Sequence, residues 1–453
     1  MYFIYSLLLG VGFLILLPRF LLDAFRHGKY VAGFRERWGT LSPIATGGRP
    51  VVWIHCVSVG ETQAARPLVH GIKERFPNHL IAISTVTLTG QNLAREIFKH
   101  EAAKVFYFPF DWRWVVRRTL KAIDPAAVIV METELWPGFL RECKHQKIPV
   151  ALVNGRLSPQ SFRRYQIIRS FIARVLSSLS LAIMQTEADA ERLRALGMEV
   201  DNMRVFGSMK FDAETMREND SVATEFRERF GLTGDSSLVI AASTHAPEER
   251  IMLDALKQTR SKAELKPRLM IAPRHPERFA EVAAEVERSG FSWTRRTNAP
   301  DPLDAKAEVI LLDSIGELQS IYALAAIVFV GGSIARTGGH NILEPAAVGA
   351  AVITGAHTYN FHSIVKDFVA ARAIIQLPPL SESEAIIHLA NAISELLAEP
   401  AGRLQMAERA RRLVNENRGA TKRTLQSLDL LLAKPANESA SPGALRADSV
   451  PVA

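Results

Sequence analysis

Cysteine is almost absent: the 453 residues include only Cys56 and Cys143. Two thiols cannot build a disulfide framework, and without a CxxC or a His/Cys cluster no structural zinc motif exists. The glycine-rich stretches contain neither G-x-G-x-x-G nor a Walker A loop, which disfavours nicotinamide, flavin and P-loop chemistry. No D-x-D pair stands at a strand end, so neither a metal nor another cofactor is expected. Zinc-finger and RNP-type aromatic motifs are missing, and nucleic acid is not an expected partner. No repeat of solenoid period occurs.

What is present is apolar residue in quantity, 48% of the chain, with an ordinary 23% charged. That suffices for a large core, and the length favours two or three domains. The net charge of +8 is uneven: residues 1–212 hold 28 Lys and Arg against 17 Asp and Glu, the remainder 27 against 30. A basic first half suits anionic lipid or a phosphorylated substrate.

Residues 1–17 are uncharged and nearly all apolar, ended by Pro18-Arg19. As a helix they reach roughly 26 Å, just short of a bilayer core. The following Phe20, Leu21 and Leu22 extend the apolar surface. A cleaved signal peptide would need a basic start and a small-x-small site, and neither is there. Arg19, Arg26, Lys29, Arg35 and Arg37 follow instead. The order predicts an uncleaved membrane-anchor helix over 1–22 with a cytoplasmic body behind it.

From residue 50 short apolar runs alternate with amphipathic segments, the pattern of a parallel α/β sheet. Strands are predicted at 51–57, 80–85, 104–108, 127–131, 150–154 and 181–185. Helices are predicted at 62–75 and 187–196. Residues 209–221 read as a linker. The alternation restarts with strands at 238–243, 268–272, 309–312, 327–330, 351–353 and 373–376, and helices at 247–258, 276–289 and 382–398. Two such sets predict two Rossmann-like domains, 40–212 and 222–425, facing a central cleft. An eight-strand barrel is the alternative, disfavoured by the linker and the excess of strands. Residues 433–453, rich in Ala, Pro, Ser and charge, read as a disordered tail.

Ligands of open parallel sheets gather at the carboxyl ends of strands. The first strand is followed by Ser58-Val59-Gly60-Glu61-Thr62, where Glu61 either faces the cleft or simply complements a helix dipole. Met131-Glu132-Thr133-Glu134-Leu135-Trp136-Pro137 sets two carboxylates behind a very apolar strand, and Asn154-Gly155-Arg156 follows the next. Met209-Lys210-Phe211-Asp212 brings a lysine near the domain junction. In the second half, Ser243-Thr244-His245 precedes a proline-started helix, and Ala272-Pro273-Arg274-His275-Pro276 fixes an arginine between prolines. Asp313-Ser314-Ile315-Gly316-Glu317 couples a strand end to a helix start. The run from Gly331-Gly332 through Gly338-Gly339-His340-Asn341-Ile342-Leu343-Glu344-Pro345 is expected to offer backbone N–H groups to a phosphate. Trp112-Arg113-Trp114 with Arg117 and Arg118, and Arg163-Arg164 with Arg169 and Arg174, are candidate lipid-facing patches, or solvated helix faces.

Together these motifs resemble the 3-deoxy-D-manno-oct-2-ulosonic acid (Kdo) transferase family, from the N-terminal helix to about residue 425. The resemblance implies the GT-B fold and an inverting, metal-independent glycosyltransferase. It would transfer Kdo from CMP-Kdo to lipid A precursor (lipid IVA) in lipopolysaccharide core biosynthesis, at the cytoplasmic face of the inner membrane. By motif position it implies Glu61 as general base and Glu132 and Lys210 as transition-state groups. Pro273, Arg274, Ile315, Gly316, Glu317, Asn341, Ile342, Leu343 and Glu344 would hold CMP-Kdo. Ile315 stands where the family often has methionine, and the asparagine expected after Gly207 is Ser208. The alternative is another GT-B nucleotide-sugar enzyme, such as a UDP-sugar transferase or epimerase.

Overall fold

The computed structural model describes residues 1–27, 33–212, 220–232, 237–262 and 266–433, with the side chains of 16–27, 220 and 262 left aside. The chain divides into two compact units, Met1–Ala213 with Gly419–Ala453, and Glu214–Arg418.

The first unit holds a parallel sheet of seven strands: β1 (Val51–His55), β2 (Leu80–Thr85), β3 (Ala102–Tyr107), β4 (Pro125–Met131), β5 (Val150–Gly155), β6 (Leu181–Met184) and β7 (Met203–Val205). Their spatial order is β3-β2-β1-β4-β5-β6-β7. Every residue of β1 is buried, because helices cover both faces of a parallel sheet. One face packs Trp53, Phe106, Phe139 and Val130; the other packs Ile54, Leu68, Ile83 and Met131. The order reverses between β1 and β4, which makes their carboxyl ends the switch point where ligands of such sheets bind.

The second unit repeats the plan with β8 (Leu238–Thr244), β9 (Arg268–Pro273), β10 (Trp293–Arg295), β11 (Val309–Leu311), β12 (Ile327–Val330), β13 (Ala351–Thr354) and β14 (Ile375–Gln376). All are parallel, in the order β10-β11-β9-β8-β12-β13-β14, and the switch point lies between β8 and β12. Strands β7 (Met-Arg-Val) and β10 (Trp-Thr-Arg) escaped the sequence pattern, since each has an arginine within only three residues and shows no apolar run.

Two boundaries move. Residues 209–211 form a 3-10 turn with Met209 and Phe211 buried, so the start of the expected linker is part of the first unit; 213–219 lie outside the described residues. The second unit ends at Arg418, not near 425. Gly419 turns with φ 90°, and the Asp212 carboxylate accepts N–H bonds from Gly419 and Thr421 (both 2.6 Å). The helix Ala420–Leu432 then lays Ala420, Leu428 and Leu432 into the first unit's core. The expected tail, from 434 on, lies outside the described residues.

The expected anchor 1–22 falls within a helix, Tyr2–His27. Among the described residues no helix is long and apolar enough to cross a membrane, and side chains from 16 onward fall outside that description. The described part lies along the first unit. Tyr2 meets the ring of Phe171, and Phe13 meets Trp38, Phe110 and Trp112. Phe3, Ile4, Leu7, Leu8, Val11, Leu14 and Ile15 are exposed. Tyr5 donates its hydroxyl to the buried Asp111 (2.8 Å), whose carboxylate also accepts the N–H groups of Gly138 (2.8 Å) and Phe139 (2.6 Å). Asp111 thus caps the helix Pro137–His145, whose own N-cap position, Trp136, has no capping side chain. Replacing Asp111 by Ala orphans two buried donors, and stability should fall by about 2 kcal/mol in denaturant unfolding, with earlier proteolysis of the first helix. An unchanged midpoint would contradict the latch.

Candidate active site

At the first switch point, Ser58 accepts the Glu61 N–H (3.4 Å) and starts the helix Val59–Arg75. The Glu61 carboxylate turns back to accept Val57 N–H (2.7 Å) and the Ser58 hydroxyl (3.0 Å). Glu61 is thus a first-turn acid at the positive end of its helix, as the helix-dipole reading has it, and Ser58 is the cap. Yet the residue is only 6% exposed, and burial together with the charges of Glu132 and Glu134 raises its pKa to about 8, against the opposite pull of Val57 and Ser58. Glu134 is raised to about 7, by burial and then by Glu132. Complementing the helix dipole alone would call for an ordinary ionised carboxylate. A carboxyl group raised this far is what base catalysis near neutrality uses.

Glu132 follows β4 directly, and because His55 pairs with Val130 it stands level with Val57. Its φ of 53° is unusual for a residue with a side chain, as is φ 56° at Asn154. Left-handed backbone of this kind costs about 1–3 kcal/mol and concentrates at functional sites. Lys210 Nζ lies 3.5 Å from one Glu132 oxygen and Arg156 Nε 3.8 Å from the other. Lys210 is held in place by its neighbours: the Ser208 hydroxyl accepts the Lys210 N–H (3.4 Å) and the Asn154 side chain accepts Met209 N–H (3.0 Å). Glu61, Glu132 and Lys210 thus share one sheet edge with Glu134 and Arg156, two groups not assigned a role from sequence.

In the second unit, Pro273 ends β9 and Arg274 N–H bonds to Thr244 O (3.0 Å), tying the β9 and β8 ends together. The Arg274 guanidinium is exposed and has no hydrogen-bond or ion-pair partner among the described residues. Glu317 is occupied: Arg296 (2.7 Å) and Ser314 bind it, and their hydrogen bonds outweigh burial to lower its pKa. Ile315 is largely exposed, and Gly316, at φ 88°, leaves its surroundings open. Asn341 accepts Leu343 N–H (3.0 Å) and donates to Glu344 (3.3 Å). Ile342 and Leu343 are wholly buried, so their side chains serve the core and only backbone is left for a ligand.

One expectation fails. The N–H groups of Gly332 (2.7 Å), Ser333 (3.0 Å), Ile334 (2.9 Å) and Ala335 (3.1 Å) do not await a phosphate; they donate to the buried Glu248 carboxylate, as does His245 N–H (3.0 Å). A Cβ on Gly331 would come within 2.8 Å of a Glu248 oxygen, and one on Gly332 within 3.0 Å of His340 Nε2. These glycines make room for protein groups. The Glu248-Glu249 pair opening a helix was the only sequence signal, and it reads equally as dipole complement. The Trp112-Arg113-Trp114 patch is also altered: Arg113 (2.7 Å) and Arg117 (2.6 Å) both bind buried Glu142, and Trp112 stacks on Trp38. Among the described residues no three His, Cys, Asp or Glu side chains are grouped to hold a metal ion.

Two parallel α/β sheets of this kind resemble those of GT-B enzymes. The chain superposes with a TM-score of 0.55 on UDP-GlcNAc 2-epimerase from Neisseria meningitidis, over 84% of this chain and 99% of that one, at 14% identity, a likeness of fold alone. Residues 32–213 match the family model described as 3-Deoxy-D-manno-octulosonic-acid transferase (kdotransferase). The chain is 33% identical over 406 residues to the 3-deoxy-D-manno-octulosonic acid transferase of Haemophilus influenzae, covering 88% of this chain and 91% of the relative. It is 35% identical over 382 residues to that of Bordetella pertussis, covering 83% and 86%. The chain belongs to the Kdo transferase family.

The Glu248 arrangement has a measurable consequence. Glu248→Ala leaves five N–H groups, three buried and two partly buried, without their acceptor and should cost about 3 kcal/mol or more in denaturant unfolding. A loss under about 1 kcal/mol, the level of an ordinary surface change, would show that the carboxylate does not hold the loop.

Proposed function

We propose that the protein transfers Kdo from CMP-Kdo to a hydroxyl of lipid A precursor, with inversion. The observation that carries the chemistry is Glu61, a buried carboxyl with pKa near 8 at the first switch point. Membership of the family supports the sugar. The acceptor hydroxyl attacks the anomeric carbon as Glu61 takes its proton; the bond to the CMP phosphate oxygen breaks, and CMP leaves with the electron pair. Oxocarbenium-like charge on the sugar favours a nearby anion, and Glu132 is that group, held in its rotamer by Lys210 and Arg156. Arg274, exposed and unpartnered, is the cation for the phosphate. Gly316, Asn341 and Glu344 complete the donor set, with backbone of Ile315, Ile342 and Leu343.

The membrane reading rests on the first unit. The N-terminal helix carries an outward row of apolar side chains while its other face is strapped to the domain by Tyr2, Tyr5 and Phe13. Ile167, 85% exposed, and Ile168 stand beside exposed Arg163, Arg164 and Arg169, and burial, then the charge of Glu134, raises the pKa of Tyr165 in the helix that ends at Ile167. Apolar knobs ringed by arginine suit an anionic headgroup layer and a phosphorylated lipid acceptor. The inner-membrane face is therefore the proposed location.

Incubation with CMP-Kdo and tetraacylated, bis-phosphorylated acceptor should give product for the native chain, whereas Glu61→Gln should lose roughly 10²–10⁴ in kcat and still bind CMP. Near-native turnover by that variant would remove Glu61 from the mechanism. The sign of the pH dependence is fixed: only ionised Glu61 accepts a proton, so kcat/KM should fall about tenfold per unit below pH 8 and level off above it. A profile flat from pH 6 to 8 would contradict this. Arg163→Glu with Arg164→Glu should cut binding to phosphatidylglycerol vesicles by roughly tenfold or more, at about 1 kcal/mol per charge. Unchanged partitioning would refute that surface.

A further inference from the structure

The second switch point holds a group to which no role has been given. His245 follows β8 and His340 ends the glycine loop after β12, the two strands between which the order reverses. Their Nε2 atoms are 2.8 Å apart, with the rings within 4° of parallel. Each ring is fixed through its backbone. His245 N–H is held by Glu248 (3.0 Å), and His340 N–H by Gly331 O (3.1 Å). Gly332, at φ 68°, leaves the space His340 fills. The glycine loop thus wraps the Glu248 carboxylate and brings two imidazoles together.

A 2.8 Å Nε2–Nε2 separation requires one proton between the rings. One ring is then the Nε2–H tautomer with a free Nδ1 lone pair, and the other is the Nδ1–H tautomer. Among the described residues neither Nδ1 has a hydrogen-bond partner. The pair therefore always presents one donor and one acceptor outward. A proton taken at one Nδ1 shifts the bridging proton across and frees a proton at the other Nδ1. The charged neighbours favour the neutral pair. Burial, then His245, Arg274 and His275, hold His340 at about 3; burial, His275, Arg278 and Arg274 lower His245 despite Glu249. Glu248 is spent on the loop N–H groups, and Glu249 on Arg278 (2.6 Å). Arg274 is tied through its N–H to Thr244 O (3.0 Å), the residue before His245, and its charge acts on both rings.

We infer that His245 and His340 form a proton relay that protonates the departing phosphate. As the glycosidic carbon–oxygen bond breaks and its electron pair goes to the phosphate oxygen, the outward Nδ1–H passes its proton to a phosphate oxygen. The bridging proton shifts, and solvent water replaces it at the other Nδ1; the Glu61 proton goes to solvent, so protons balance over the cycle. This assignment rests on the CMP-Kdo reading above, with Arg274 as the phosphate cation.

The test is kinetic. His340→Gln keeps a hydrogen-bonding nitrogen near the Nε2 position but has no second ring nitrogen, so it preserves the contact and cuts the relay. Its kcat should fall roughly 100-fold, with KM for CMP-Kdo and the Kd for CMP within about threefold of native, the scale of general-acid loss. His245→Gln should match it, and the double variant should be no slower than either single, since the two act as a unit. Unchanged kcat in both, CMP affinity falling in step with kcat, or losses that multiply in the double variant would each overturn the relay. Should one variant fail to fold, the other gives the answer by its kcat and Kd. A native chain that releases no CMP from CMP-Kdo with acceptor would instead sink the donor reading, a result distinct from any of these.

Discussion

Three carboxyl groups share one end of one sheet, and burial keeps them from all ionising. Glu61 is pressed against the start of its helix by Val57 and Ser58, out of water and within the field of Glu132 and Glu134. Its raised pKa follows from that placement, and so does its fitness as a base near neutral pH. Lys210 and Arg156 do not abolish the effect because they pair with Glu132, so Glu132 keeps its oxygens fixed while Glu61 bears the cost of its neighbours' charge. The seven-stranded order, the left-handed backbone at Glu132 and the 3-10 turn carrying Lys210 all serve to bring these groups to a single edge.

The second unit uses the same architecture for a different end. There the carboxylate at the switch point, Glu248, is buried completely and spent on backbone N–H groups, so it shapes a loop and leaves the chemistry to exposed Arg274 and the half-buried histidine pair. Glycine in that loop answers to Glu248 and His340. A run of glycines after a strand therefore signals close approach of something to backbone, and whether that something is ligand or protein depends on which side chains the fold delivers.

Much of this was legible in the sequence. The alternation of apolar runs and amphipathic segments marked both sheets, because buried parallel strands are apolar on both faces. The strand-end motifs put Glu132 and Arg274 among the candidates and left Glu61 open, and the family resemblance, not the chain order, supplied roles for Glu61, Glu132, Lys210 and Arg274. Three things were not legible. The return of residues 420–432 to the first unit depends on Asp212 catching the N–H groups of Gly419 and Thr421, a contact over two hundred residues apart in sequence. Glu248 has the same local signature as any first-turn acid. The pairing of Arg113 and Arg117 with the one carboxylate of Glu142 needed the packing of two helices, which no local pattern encodes.

The claim on which the chemistry depends is electrostatic, and it can be read without turnover. Carbon-13 NMR of the side-chain carboxyl of Glu61, assigned by comparison with Glu61→Gln, follows its ionisation directly. A midpoint near pH 8, moving downward when Glu132 is replaced by Gln, is the predicted result. A midpoint in the ordinary carboxylate range, indifferent to Glu132, would contradict it.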